Sequence, residues 1–258
     1  MALEPSAALL TERIAIVTGA AVGIGEAIAV AFANFGAHVA ICDRDVPNLD
    51  VTADAIEAAG RRVVAGELDV RDVEQVDGFV DVVREQFGHV DVLVNNAGGG
   101  FYANFLDVSV KGQDTLIREN FVSVTNFIRA VVPLFPDAGG SIVNLTSIEA
   151  HRAAPGYAIY SAMKAAVSSL TKTLALELGE RRIRVNCIAP DVIPTPGIGD
   201  VDVTTPLPRS GHVDDVAAAA VFLAGDLSGF VTGTTLHVDG GNHAAGGWRR
   251  LPDGTFGT

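Results

Sequence analysis

A tyrosine and a lysine one helical turn apart, Tyr160 and Lys164 in the run Tyr-Ser-Ala-Met-Lys, are the residues of this 258-residue chain best placed by type and spacing to move a proton. On an α-helix, positions i and i+4 share a face about 6 Å apart along the axis, so an ammonium at the second position can stabilise the phenolate of the first. Without such help a phenol, with its pKa near about 10, is a poor base at neutral pH. Ser147 stands thirteen residues upstream and can offer a hydrogen bond to a reacting oxygen. Near the start, the run Thr18-Gly-Ala-Ala-Val-Gly-Ile-Gly25 carries glycines that permit a tight turn and let backbone N–H groups approach a pyrophosphate at a helix N-terminus. Together these residues read as proton transfer coupled to hydride transfer on a nicotinamide dinucleotide.

Such groups need a frame, and the apolar pattern predicts one. Short runs enriched in β-branched residues recur at 14–17, 39–42, 63–65, 90–94, 142–145, 185–188 and 236–238 and read as strands. Longer segments with a 3.6-residue apolar period, at 26–35, 49–59, 73–87, 113–134, 157–178 and 213–223, read as helices. Strands apolar on both faces, alternating with helices, predict an α/β fold of Rossmann type. It is a doubly wound parallel seven-stranded sheet with helices on both faces. Ligands of such sheets bind beyond the carboxyl ends of the strands. The length suits one domain over 1–258, with a core at about 12–241 and a tail at 242–258.

Charge and composition exclude several function classes. The chain has 31 acidic and 18 basic side chains, a formal charge of −13, and no lysine or arginine run, so neither nucleic acid nor a membrane surface is expected as a partner. Cys42 and Cys187 lie in strand-like apolar runs with no CxxC or Cys/His spacing and read as buried thiols, so no disulfide framework and no metal site is expected. Residues 1–12 lack a basic start, a long apolar stretch and a small-residue cleavage site, and a cytoplasmic protein is expected. Asp43 follows the second strand, eighteen residues after Gly25, where a carboxylate can accept hydrogen bonds from an adenosine ribose and repel a 2′-phosphate. This favours NAD, although Arg44 could offset the repulsion and admit NADP.

In these motifs the sequence resembles the short-chain dehydrogenase/reductase family, in its single-domain form, over about residues 12–241. Four segments agree in order and spacing: 18–25, Asn95-Asn-Ala-Gly98, Ser147 with Tyr160 and Lys164, and 190–195. The resemblance implies a catalytic set of Asn120, Ser147, Tyr160 and Lys164. Tyr160 would be the general base in alcohol oxidation and the acid in ketone reduction, and Ser147 would hydrogen-bond the reacting oxygen. Lys164 would also hold the nicotinamide ribose, and Asn120 would anchor a water in the proton path. For the cofactor, the resemblance implies that Gly19, Gly23, Ile24 and Gly25 cradle the pyrophosphate. Asp69, in the run Leu68-Asp-Val70, would bond the adenine amino group, and Asn95 and Ala97 would brace the ribose side. Ile193 and Thr195, with Val192, align with the segment that fixes the nicotinamide carboxamide. Read from the residues alone, Asn95 and Asn120 are also able to satisfy buried backbone groups, and Asp69 to cap a strand end. Family members are commonly tetramers, so a homotetramer with 113–134 and 157–178 at its contacts is expected.

The chain departs from the family pattern in several places. Pro190-Asp191 stands where Pro-Gly is usual, and the Asp191 carboxylate is expected to point to solvent, with a place near the nicotinamide as the alternative. The segment 195–212 has three prolines, three glycines and no helical period in place of a longer, partly helical lid, which predicts an open cleft. Phe101, Tyr102 and Phe105 are candidates for the opposite wall or for a core or subunit contact. Glu149 and His151, close to Ser147 in sequence, are candidates for substrate contact, with a surface position the expectation for both. The stretch 133–140 has no arginine or lysine to dock an acidic carrier protein. In the tail, Trp248 and Phe256 flank a Pro-Asp-Gly turn signal and predict a small hairpin that packs on a neighbouring subunit. The expected function is NAD-dependent interconversion of a secondary alcohol and a ketone. The substrate would be bulky and apolar, steroid-like or alicyclic, or a coenzyme A ester. Alternatives are NADP-dependent reduction of a 3-oxoacyl thioester and, in another class, a nucleotide sensor without chemistry. A sensor would be expected to lose Tyr160 or Lys164, and both stand.

Overall fold

Unbroken apolar runs that must be covered on both faces produce a central sheet in the computed structural model, which describes residues 3–196, 198, 203–251 and 253–257. Its strands are β1 (Ile14–Thr18), β2 (His38–Asp43), β3 (Val63–Glu67), β4 (Val92–Asn95), β5 (Gly140–Leu145), β6 (Ile183–Pro190) and β7 (Thr235–Val238). They lie in the order β3-β2-β1-β4-β5-β6-β7, every neighbouring pair parallel. The helices that connect them are α1 (Gly23–Asn34), α2 (Val46–Ala58), α3 (Val73–Phe87), α4 (Val110–Ile117), α5 (Ser123–Val131), α6 (Ala158–Glu177) and α7 (Val213–Ala224).

Successive strand residues feed opposite layers. Ala15 and Val17 of β1, Val39 and Ile41 of β2, and Val92 and Val94 of β4 pack with Ile28 and Phe32 of α1 and Val216 and Ala220 of α7. Ile16, Ala40 and Leu93, the residues between them, pack with Val80 of α3, Phe127 of α5 and Val167 of α6. This alternation explains why the inner strands read as unbroken apolar runs. The edge strands β3 and β7 are only half-buried, as a strand with one neighbour must be.

Every strand and helix expected from the apolar pattern is present, with one internal difference. The segment expected as a single helix at 113–134 is α4 and α5 joined by a π-helical turn at Arg118–Val122. The strand order reverses between β1 and β4, and the carboxyl ends of these strands, with β5 and β6, open onto a cleft of about 850 Å³.

The tail after α8 (Asn242–Ala245) forms the expected hairpin, β8 (Arg249–Arg250) paired antiparallel with β9 (Phe256–Gly257). Within the chain it rests on the lid. The Arg250 N–H donates to Thr204 O at 3.3 Å, and its guanidinium donates to Pro206 O at 3.0 and 3.2 Å. Among the described residues, no helix is long and apolar enough to cross a membrane.

Candidate active site

The glycine turn between β1 and α1 opens the site. Gly19 has φ +66°, and a Cβ there would stand 2.8 Å from the Ala97 Cα; a Cβ on Gly25 would stand 2.0 Å from the Gly19 carbonyl oxygen. Neither position tolerates a side chain without backbone movement, because the turn and the β4–α4 loop are in direct contact. That contact is bonded by side chains. Thr18 Oγ1 accepts from the Asn96 and Ala97 N–H groups, both at 3.0 Å, and Asn96 Nδ2 donates to the carbonyls of Thr18 at 3.0 Å and Gly19 at 2.9 Å. Helix α1 then starts without a side-chain cap, so its first amides lie bare at the cleft.

Across the cleft, α6 presents Tyr160 and Lys164. The Lys164 ammonium is 4% exposed, donates to Leu145 O at 2.9 Å, and lies 5.6 Å from the centre of the Tyr160 ring. Burial pushes its pKa down to about 8, against the opposing pull of Cys187 and Glu119. Tyr160 is pushed above its ordinary value, chiefly by burial; a hydrogen bond with Ser147 opposes the rise and the Glu149 charge adds to it. Ser147 Oγ accepts from the Glu149 N–H at 3.1 Å, which leaves the hydroxyl proton free to be donated.

One cleft of about 850 Å³ gathers most of the residues singled out in the sequence. Gly19, Gly23, Ile24, Gly25, Asp43 and Val70 line its nucleotide end. Ala97, Ser147, Tyr160, Lys164, Ile193 and Thr195 line the other. Asp43 accepts from the Arg44 and Asp45 N–H groups on one oxygen, at 2.7 and 3.1 Å, and from Ala21 N–H on the other at 3.2 Å. Its carboxylate is therefore fixed at the β2 end of the cleft. Arg44 is turned to Glu119, 3.3 Å away.

Three residues stand elsewhere than expected. Asp69 is outside the cleft lining, held by Arg71, whose Nε donates at 2.8 Å; this bond keeps the carboxyl below its usual range. Leu68 and Val70 form the wall on either side of it. Asn95 points into the core, where its Nδ2 donates to Asn144 Oδ1 at 2.8 Å, and its own buried Oδ1 has no partner among the described residues. The neighbouring Asn96, which sequence reasoning passed over, is the one that braces the glycine turn. Asn120 is fully buried behind the cleft. Its Nδ2 donates to Gly99 O at 2.8 Å and Leu116 O at 3.0 Å, and its Oδ1 accepts from Gly99 N–H at 3.2 Å.

The departures also resolve differently. Glu149 lines the cleft beside Ser147, while His151 is exposed, as expected, and stacks edge-on with His237 at 4.8 Å. Asp191, expected in solvent, has a side chain only 11% exposed and accepts from Asn242 Nδ2 at 2.6 Å. Its backbone is outside the left-handed region, so the glycine usual at this place is not needed here. Phe101, Tyr102 and Phe105 are exposed, with Tyr102 edge-on to Tyr157 at 5.8 Å. Cys42 and Cys187 are buried and free, as read.

A family model described as enoyl-(acyl carrier protein) reductase, one of the short-chain dehydrogenase set, matches residues 19–243. The chain belongs to the short-chain dehydrogenase/reductase family. It is an oxidoreductase of that family by fold and by relatives alike. It is 37% identical over 241 residues to the 3-oxoacyl-(acyl-carrier-protein) reductase FabG of Thermotoga maritima, covering 90% of this chain and 98% of that one. Among solved structures, a 7 alpha-hydroxysteroid dehydrogenase complexed with NADH and 7-oxo glycochenodeoxycholic acid superposes with TM-score 0.89 at 33% identity, over 93% of this chain and 98% of that chain. The carveol dehydrogenase of Mycobacterium avium in complex with NAD superposes with TM-score 0.85 at 30% identity, over 90% of this chain and 97% of that chain. For a short-chain dehydrogenase the residues present suit a dinucleotide. The uncapped α1 amides can meet a pyrophosphate, and the side-chain-free turn at Gly19 and Gly25 lets it approach.

Proposed function

We propose that this protein is an NAD-dependent dehydrogenase that interconverts a secondary alcohol and a ketone, with Tyr160 as the proton-transferring group. The observation that carries the reading is the meeting of Tyr160, Ser147 and Lys164 at one end of a cleft whose other end holds the Asp43 carboxylate. When bound, the nicotinamide supplies or accepts the hydride and, oxidised, a positive charge. The chain's own part is proton chemistry and positioning. Ser147, with its lone pair committed to the Glu149 N–H, donates to the substrate oxygen. Tyr160 gives that oxygen a proton in reduction and takes it in oxidation. Lys164, held by Leu145 O, keeps a cation beside the phenol. Asn120 holds the Gly99 loop against the site.

Asp43 supports NAD over NADP, because its fixed carboxylate would face a 2′-phosphate while the nearest cation, Arg44, is engaged by Glu119. The short lid and the likeness to steroid and carveol dehydrogenases support a bulky, steroid-like or alicyclic substrate, or a coenzyme A ester. A second reading, reduction of a 3-oxoacyl thioester, is supported by the FabG relative. Both are tested by following NADH and NADPH absorbance over a panel of cyclic and steroidal alcohols, their ketones, and acyl thioesters. The expected result is turnover of alicyclic substrates with NAD, and a loss of about 100-fold or more in kcat in Tyr160→Phe with NAD binding retained. Normal turnover in that variant would remove the mechanism, and a preference for NADP with thioesters would select the second reading.

A further inference from the structure

The catalytic cleft and a neighbouring cavity of about 510 Å³ share a wall, and the side chains at that wall are not used by the proposed reaction. Glu149 lines the cleft two residues after Ser147. Arg152, on the side of the second cavity, clasps it: Nη2 donates to Oε1 at 2.7 Å and Nε to Oε2 at 3.3 Å. The same guanidinium lies 3.6 Å from Asp191 Oδ1, and Asp191 holds Asn242 through its other oxygen. Asp191, Glu149 and Arg152 side chains are 11%, 22% and 36% exposed, so these charges are only partly screened by water.

Tyr160 has to ionise in this company. Facing it are Lys164 and Tyr157 from α6, Glu149 with Arg152 from the β5–α6 segment, and Asp191 from the end of β6. Glu119 of the π-helical turn lines the cleft opposite, and Tyr102 of the β4–α4 loop packs on Tyr157. Glu119 is paired with Arg44, and Glu149 is the carboxylate whose charge works against the phenolate, so what holds Glu149 bears on the balance at Tyr160.

We propose that Arg152 is a positioning residue that works through Glu149: it pins that carboxylate in an ion pair and faces Asp191, so that the phenol meets one net negative charge from these three groups in place of two. The proposal rests on Tyr160 as the proton-transferring group, and its test does not require turnover.

The chain has three tyrosines, so the near-ultraviolet phenolate titration of each protein minus that of its Tyr160→Phe counterpart isolates one phenol. Measured on the full chain with saturating NAD, Arg152→Met moves the Tyr160 midpoint up by about half to one pH unit. Glu149→Gln moves it down by a similar amount, the double variant returns close to the parent, and Arg152→Lys keeps most of the parent value. Should Arg152→Met fail to fold, Glu149→Gln and Arg152→Lys carry the same test. Unmoved midpoints, or shifts of the same sign in Arg152→Met and Glu149→Gln, would overturn the proposal. An inert enzyme whose midpoints move in opposite directions would count against the dehydrogenase reading and leave this one standing.

Discussion

Lys164 carries its charge where water does not reach, and that has a measurable effect on stability. In the folded protein it releases its proton near pH 8, whereas in the unfolded chain it keeps the proton to the ordinary value of 10.5. Below pH 8 both states are protonated, and the folded state bears the full cost of a buried ammonium. Between the two values the unfolded chain binds more protons, so stability rises with pH across that window. Replacing Lys164 by Met is expected to stabilise the nucleotide-free protein at neutral pH by up to about 3 kcal/mol and to remove the rise, while abolishing turnover. Urea unfolding of both proteins between pH 7 and about 10.5 checks this; identical pH dependence in the two would remove Lys164 as its source. The residue thus trades stability for a cation at the phenol, a common pattern at functional sites.

The π-helical turn between α4 and α5 brings Asn120 to the back of the site, where three backbone groups, Gly99 N–H, Gly99 O and Leu116 O, depend on its amide. Asn120→Ala is expected to destabilise the protein by about 2–4 kcal/mol, since each buried group left unpaired costs about 1–3 kcal/mol. A urea midpoint within error of the parent would show that water replaces the amide there. This turn was not legible in the sequence. Leu116, Asn120, Ser123, Val124, Phe127, Ile128 and Val131 are the buried positions, and one extra residue in a turn leaves such a rhythm almost unchanged. Strands and helices were legible because short unbroken apolar runs and the 3.6-residue period are imposed by burial itself. The glycine turn and the Tyr160–Lys164 pair were legible because their chemistry is local. Asn95 and Asn96 were not told apart, since adjacent residues at a strand end face opposite sides and only pairing with β1 decides which meets Gly19. Glu149 and Asp191 were misread for a similar reason: Arg152 joins them only once the β5–α6 segment and the end of β6 have met in space.

At the scale of the molecule, the tail hairpin and the lid hold each other. Arg250 is the joint, bonded to Thr204 and Pro206, and its guanidinium covers the Phe256 ring at 5.2 Å. Arg250→Ala is expected to speed proteolytic cleavage within 203–211 several-fold without shifting the urea midpoint, because the sheet and its two layers take no part in the joint. Equal cleavage rates would mean that the lid is held by its own prolines. The arrangement of the sheet has a further consequence. The Ile14 N–H donates to the Asp91 carboxylate at 2.8 Å, a bond that spans 77 residues, and β1 has β4 as its neighbour. Closing so long a stretch before its contacts can reward it makes for slow folding. On the ribosome, β1 must wait with one edge bare until β4 has left the exit tunnel, and in that interval a chaperone or a second nascent chain has access to it.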